Sequence, residues 1–302
     1  MARDPAKLEP PMNQPPTPTR FVLATDMSAR CDRALARAWQ LARAWNAELD
    51  VVHAVSAARV AHRDHLLGSV PSWRRSESWT STLDRHLRAD LAAEGISVSS
   101  AVIVGAPGEA VMEASVRVGA SLIVLGIAKD ARMDRIQLGS TVDSVVRNAR
   151  VPVLNVRSRA RSPYRHVVVA TDFSDPAGQA LALAARWFES ATLTLFHAYL
   201  PPGSSMTTGT GANDSWRAAV TQLCDAHVAS LGLPASALPP ERRLLERGHA
   251  GALLSDYVAQ AEVDLVVLGS QGRSGVARFL LGSTAEQLLH ALDCDTLVVR
   301  GT

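Results

Sequence analysis

The chain has 302 residues, 47% of them hydrophobic and 20% charged, with a formal net charge of +2. That length suits two domains that each bury a core of their own, and so small a charge gives no ground for a nucleic-acid partner. Three scattered cysteines, Cys31, Cys224 and Cys294, match neither a disulfide framework nor a zinc site, and no apolar run reaches the length of a membrane span.

Residues 1–19 contain six prolines and no apolar core, which predicts a disordered, partly polyproline tail and not a secretory leader. The cytoplasm is the expected location. RFVLATD (20–26) reads as a buried strand. The next segment places Ala34, Leu35, Ala38, Leu41, Ala42 and Trp45 on one helical face, with Ser28 where a cap belongs. VVHAV (51–55) is a second strand, and 57–77 is expected to be irregular, a lid or interface segment. SLIVLG (121–126) and VPVLNVR (151–157) read as further strands, with LGST (138–141) opening a helix between them. RSRARSPYR (157–165) is expected to be a solvated linker, bounded at 158–164.

From residue 165 the order repeats. HVVVATD (166–172) matches the first strand, LFHAY (195–199) the second, and DLVVLG (264–269) matches SLIVLG. LGST recurs at 281–284, and CDTLVVR (294–300) matches VPVLNVR. Ala180, Leu181, Ala184 and Trp187 form the matching helix face behind the cap candidate Ser174, and 200–213 is the matching irregular segment. The offset falls from 146 at Asp26 and Asp172 to 143 at Gly126 and Gly269, as a duplication with small loop changes would leave it. Two α/β domains follow, at 20–157 and 165–302. Each is a doubly wound, parallel, five-stranded sheet with helices on both faces.

Ligands of such sheets bind at the carboxyl ends of the strands. Asp26 and Asp172 sit there, and glycines follow the fourth strand of each half. In the second half Gly269 and Gly272 flank two residues, and nine more lead to Gly282-Ser283-Thr284 at a helix start. Glycines permit positive φ and close approach of backbone N–H groups to a phosphate, and the helix adds free N–H groups and a positive dipole end. Hydroxyls of Ser283 and Thr284 and the charge of Arg273 would add to that. Ordinary turn chemistry explains the same residues equally well at this point. The first half keeps Gly126, Gly139, Ser140 and Thr141 but puts Lys129 in place of the second glycine, followed by Asp130. If that position needs positive φ, a lysine costs roughly 1 kcal/mol; its amine could instead reach a phosphate. A weakened or altered first site is expected. His53 and His197, at matching strand ends, are read as structural, with their rings hydrogen-bonded. Trp73, Trp79 and Trp216 are read as packing residues, and His62, His65 and His86 lack a metal spacing.

Together these blocks resemble the universal stress protein (UspA-like) family in a tandem form, over nearly all of residues 20–300. The family's nucleotide signature, Gly-x2-Gly-x9-Gly-Ser/Thr, is met in full by residues 269–284, and ATDFSD (170–175) resembles the start of ATP-binding members. The resemblance implies a Rossmann-like fold of the adenine nucleotide alpha hydrolase type and ATP as ligand, with Mg²⁺ left open. Ala170, Thr171 and Asp172 would lie toward the ribose or adenine, the backbone at Ala198 at the adenine edge, and Leu268, Gly269, Gly272, Arg273, Gly282, Ser283 and Thr284 around the phosphates. Asp26 and Ala54 would keep the adenosine side of a weaker first site. The resemblance also implies pairing of the halves through the edges at 151–156 and 296–299, as an intramolecular pseudo-dimer; a further homodimer stays open. The function so implied is stress-response regulation through nucleotide occupancy and an unknown protein partner. Catalysis would be absent or limited to slow hydrolysis or autophosphorylation at Ser283 or Thr284, since no nucleophile–base pair is visible. A purely structural or interaction module is the alternative, and an enzyme of a related nucleotide-binding class is disfavoured because its motifs are missing.

Overall fold

The computed structural model describes residues 16–29, 31–67, 78–127, 139–201, 210–270 and 281–300. Residues 1–15, most of the predicted tail, lie outside them, as do Lys129, Asp130, Gly272 and Arg273. The first half runs β1 (Arg20–Thr25), α1 (Asp32–Trp45), β2 (Glu48–Val55), α2 (Ala57–Leu67), α3 (Trp79–Ala93), β3 (Ser99–Val104), α4 (Pro107–Val118), β4 (Ile123–Gly126), α5 (Ser140–Asn148) and β5 (Val153–Val156). The second runs β6 (His166–Ala170), α6 (Asp175–Trp187), β7 (Thr192–Tyr199), α7 (Thr210–Ser230), a 3-10 turn at Pro240–Arg242, β8 (Arg243–Arg247), α8 (Ala250–Gln260), β9 (Leu265–Gly269), α9 (Ser283–Ala291) and β10 (Asp295–Val299).

Three local expectations are corrected, the first at 210–213, which begin helix α7 and are not irregular. Residues 57–67 form helix α2, not an irregular segment: AARVAHRDHLL holds three alanines and neither Gly nor Pro to break a helix. Ser28 does not cap α1. The helix starts at Asp32 behind Cys31, which makes no side-chain cap bond, and the Ser28 hydroxyl donates to Asp26 Oδ1. Ser174 does cap α6, accepting from the Ala177 amide at 3.4 Å.

Each half is a parallel five-stranded sheet, and the two join into one sheet in the order β3-β2-β1-β4-β5-β10-β9-β6-β7-β8. The seam is the antiparallel pair β5–β10, the two edges expected to meet. Leu154 lies opposite Leu297 there. These are copies of one another in the repeat, so a pseudo-twofold axis passes through that pair. The neighbouring pairs, Asn155 with Thr296 and Val153 with Val298, exchange under it. Arg157 and Arg300, also repeat copies, obey the same symmetry. Arg157 donates to the Leu289 carbonyl at the end of α9, and Arg300 donates to Val146 O at 3.0 Å at the end of α5. Each arginine thus caps the last helix of the other half, where carbonyls lack helical partners and the dipole favours a cation. Two apolar cores, one per sheet face, run across both halves. On one face Trp45 meets Trp187 at 5.6 Å between ring centroids, well inside the range of productive aromatic pairs.

The segment after β5 is solvated at Arg159, Arg161 and Arg165, as expected, and anchored near its two ends. Arg157 and Tyr164 are buried, and Asp295 takes hydrogen bonds from the amides of Arg157 and Ser158, each at 2.8 Å, and from the Tyr164 hydroxyl at 2.7 Å. Arg33 and Arg37 of α1 donate to the carbonyls of Arg157 and Ser162. The connection is therefore stitched to both halves. The physical reason is Asp295: a buried carboxylate at the start of β10 needs several donors, and the passing chain supplies them.

Candidate functional site

The loop after the first strand is built alike in both halves. Thr171 Oγ1 accepts from the Phe173 amide at 2.9 Å, and Asp172 Oδ1 accepts from Ser174 N at 3.1 Å and Ser174 Oγ at 2.5 Å. Thr25, Asp26, Met27 and Ser28 repeat the pattern at 3.0, 2.9 and 2.5 Å. These bonds force the residue after each aspartate into left-handed backbone, with φ of 58° at Met27 and 61° at Phe173, a conformation that costs a side chain roughly 1–2 kcal/mol. His53 and His197 behave as the sequence suggests. Their Nδ1 atoms lie 2.9 and 2.8 Å from the carbonyls of Thr25 and Thr171, and because a carbonyl only accepts, Nδ1 carries the proton.

In the second half these strand ends surround a cavity of about 310 Å³. Ala170, Thr171, Asp172, Ala198, Leu268, Gly269, Gly282, Ser283 and Thr284 all line it, so nine predicted site residues come together. Phe196, Leu254 and Leu288 add an apolar floor that periodicity alone marks only as core, and His197 and Ala250, the first residue of α8, complete the wall. The start of α9, the helix that also supplies Leu288, borders the same cavity. The N-cap of α9 is Gly282, which makes no side-chain cap bond, and Gly282 with the exposed Ser283 and Thr284 lines the cavity. An apolar slot next to an open helix N-terminus suits a ligand with a flat apolar ring and an anionic tail. The volume lies near the lower end of the roughly 300–1,000 Å³ common for small-molecule sites, space for a nucleoside with its phosphates toward α9.

Among the described loop glycines none has positive φ; Gly272, at the position where positive φ is expected to matter, lies outside the described residues. Gly139 and Gly282 have φ of −60° and −62°, and Gly269 is not among the positive-φ residues. At Gly269 the value of glycine is space. A Cβ at Gly269 would lie 3.1 Å from the Pro176 carbonyl carbon and 3.2 Å from Ala177 N, so glycine lets the start of α6 sit on β9. At Gly139 a Cβ would meet nothing within 4 Å. Gly269→Ala is therefore expected to lower stability by about 1–3 kcal/mol, and Gly139→Ala to leave it within about 0.5 kcal/mol, both read from urea unfolding. Equal effects would show that the close approach at Gly269 is not what fixes that residue.

In the first half Gly126 ends β4, Gly139 caps α5, Ser140 and Thr141 begin it, and Asp26 and Ala54 sit at the ends of β1 and β2. Gly272, Arg273 and Lys129, on which the difference between the loops turns, lie outside the described residues. Among the described residues no group of three or more His, Cys, Asp or Glu side chains is placed to hold a metal ion, and no helix is long and apolar enough to cross a membrane.

Residues 18–157 and 163–300 each match the family model described as the universal stress protein family. Universal stress protein E of Escherichia coli (strain K12) is 38% identical over 56 residues, a stretch covering 18% of this chain and 18% of that relative. Universal stress protein A homolog 1 of Coxiella burnetii is 27% identical over 148 residues, covering 45% of this chain and 96% of that relative. Among solved structures, a universal stress protein from Archaeoglobus fulgidus DSM 4304 superposes with a TM-score of 0.68 at 19% identity, over 93% of this chain and 98% of that one. At that identity the likeness is one of fold, and it extends to the tandem arrangement.

Proposed function

The chain belongs to the universal stress protein family, and on that premise we propose that it is a cytoplasmic stress-response regulator that binds ATP in its second half and turns it over slowly or not at all. The observation that carries this reading is the cavity that joins the apolar floor of Phe196, Leu254 and Leu288 to the open N-terminus of α9. Adenine would lie on the floor with its edge at the Ala198 backbone, the ribose beside Asp172, and the phosphates over Gly282, Ser283 and Thr284. By its sequence, the loop through Gly269, Gly272 and Arg273 would close over them, with or without Mg²⁺. Lys129 at the equivalent place makes the first half the weaker or altered site. Nucleotide occupancy would then set which protein partner the regulator engages. Three unpaired cysteines suit a reducing compartment.

The test is stoichiometry. Purified full-length protein is denatured, its released nucleotide is quantified, and the emptied protein is titrated calorimetrically with ATP and Mg²⁺. One ATP per chain is expected. Two of equal affinity would overturn the preference for the second half. No bound nucleotide, together with no thermal shift on adding ATP, would overturn the proposal in favour of a structural or interaction module.

A further inference from the structure

A second cavity, of about 460 Å³, lies in the first half on the opposite face of the sheet, between α1 and α3. Its floor is apolar: Leu23, Leu35, Val51, Leu87, Leu91 and Ile96. Its mouth carries three exposed carboxylates, Asp32 on α1 and Asp90 and Glu94 at the end of α3, with Cys31 beside them. No lysine, arginine or histidine lines it among the described residues.

The duplication supplies an internal control. Asp32 corresponds to Gly178 in the repeat, and Gly178 lies directly beneath α7. A Cβ there would come within 3.2 Å of both His227 Cε1 and Leu231 Cδ2. His227 and Leu231 each follow a buried residue of α7, Cys224 and Val228, by three positions. Asp90 and Glu94 follow the buried Leu87 and Leu91 of α3 by the same step. Gly178, His227 and Leu231 are thus the counterparts of Asp32, Asp90 and Glu94. In the second half the helices close, and Phe173 packs on His197 at 4.3 Å and His227 at 5.6 Å. In the first half three like charges replace that contact, and Met27, the smaller counterpart of Phe173, lines the gap. Three exposed carboxylates on one rim give the mouth a negative field, which favours a cation. The three carboxylates and Cys31 do not form a group that could ligate a metal ion, and an apolar floor offers a bare ion nothing.

We propose that this groove binds an amphipathic organic cation, its apolar body on the floor of Leu23, Val51 and Leu91 and its ammonium or guanidinium group among Asp32, Asp90 and Glu94. The site is separate from the nucleotide cavity and does not depend on it.

Three probes with one body and different charge test the proposal on the full chain by calorimetry: 1-adamantanemethylamine, 1-adamantanemethanol and 1-adamantanecarboxylate. The amine is expected to bind once per chain, the alcohol about tenfold or more weaker, and the carboxylate not at all. Asp90→Asn with Glu94→Gln, both on an exposed helix face, should weaken the amine about tenfold and leave the alcohol unchanged. Bound amine should also slow alkylation of Cys31. This thiol is half-buried while Cys224 and Cys294 are buried, and because burial pushes it up to about 11, protection is read as a rate. Equal affinity for amine and alcohol, no saturation at millimolar amine, or an unaltered double variant would each overturn the proposal. Displacement of the amine by ATP would place it in the other cavity and overturn it as well.

Discussion

Asp295→Ala is expected to destabilise the folded chain by about 3–5 kcal/mol, measured as a shift in the urea midpoint at constant slope. Asp295 is fully buried, and so is almost all of Arg37, whose Nε lies 3.5 Å from Asp295 Oδ2. Removing the carboxylate orphans the amides of Arg157 and Ser158 and the hydroxyl of Tyr164, each worth about 1–3 kcal/mol when left unsatisfied. It also strands the Arg37 charge. Arg37 has little freedom to escape to water, because it donates to Gln40 Oε1 and Ser162 O and stacks over the Tyr164 ring at 4.0 Å.

A pH dependence accompanies this. Burial raises the Asp295 carboxyl above its ordinary value of 3.8, against the opposing pull of Ser158, Tyr164, Arg157 and Arg37. The folded chain therefore holds the proton more tightly than the unfolded chain. The stability linked to that proton is present at low pH and is lost as pH rises from 3.8 through the raised folded value. Asp295→Asn removes the titration, so the advantage of the wild type over this variant should shrink with rising pH in that window. An advantage that stayed constant or grew would show that the donors, not burial, govern the carboxyl.

Asp295 and Arg37 also show where sequence reading stops. The repeat makes strands, strand ends and helix starts legible, because whatever both copies retain stands out: Asp26 with Asp172, His53 with His197, and the two Gly-Ser-Thr turns all fall in equivalent places. The connection between the halves is the part that cannot be repeated, since the chain crosses from one to the other once. Arg37 stands where the second copy has Leu183, and Asp295 where the first has Pro152. Apolar periodicity passes over an arginine on a helix, yet Arg37 is on the buried face of α1. A polar residue in one copy opposite an apolar residue in the other is the signal that would have found it. Asp32 opposite Gly178 is the same kind of signal, read at the second cavity. The apolar floor of the second-half cavity was illegible for another reason: Phe196, Leu254 and Leu288 differ from packing residues only in facing a void, which depends on how far α8 and α9 stand from the sheet.

Ser283→Glu is expected to split stability from binding. Ser283 is the first residue of α9 and is exposed. An acidic side chain at that position complements the helix dipole and should leave stability unchanged or raise it by about 0.3–1 kcal/mol. The same carboxylate would occupy the place proposed for the phosphates. Two unit charges about 4 Å apart repel by about 4 kcal/mol at an effective dielectric near 20, so ATP affinity should fall by roughly a hundredfold or more. Ser140→Glu is the matched control, because Ser140 is the first residue of α5 behind a glycine cap of nearly the same geometry. It should give the same small gain in stability and leave the one-per-chain ATP isotherm unmoved. If Ser140→Glu abolished binding and Ser283→Glu did not, the nucleotide would belong to the first half, and Lys129 would be a phosphate ligand. If neither variant weakened ATP, the open end of α9 would not be the anion site, however well its amides are placed. Loss of stability in both variants would point elsewhere again: the first amides of these helices would then already have partners within the fold.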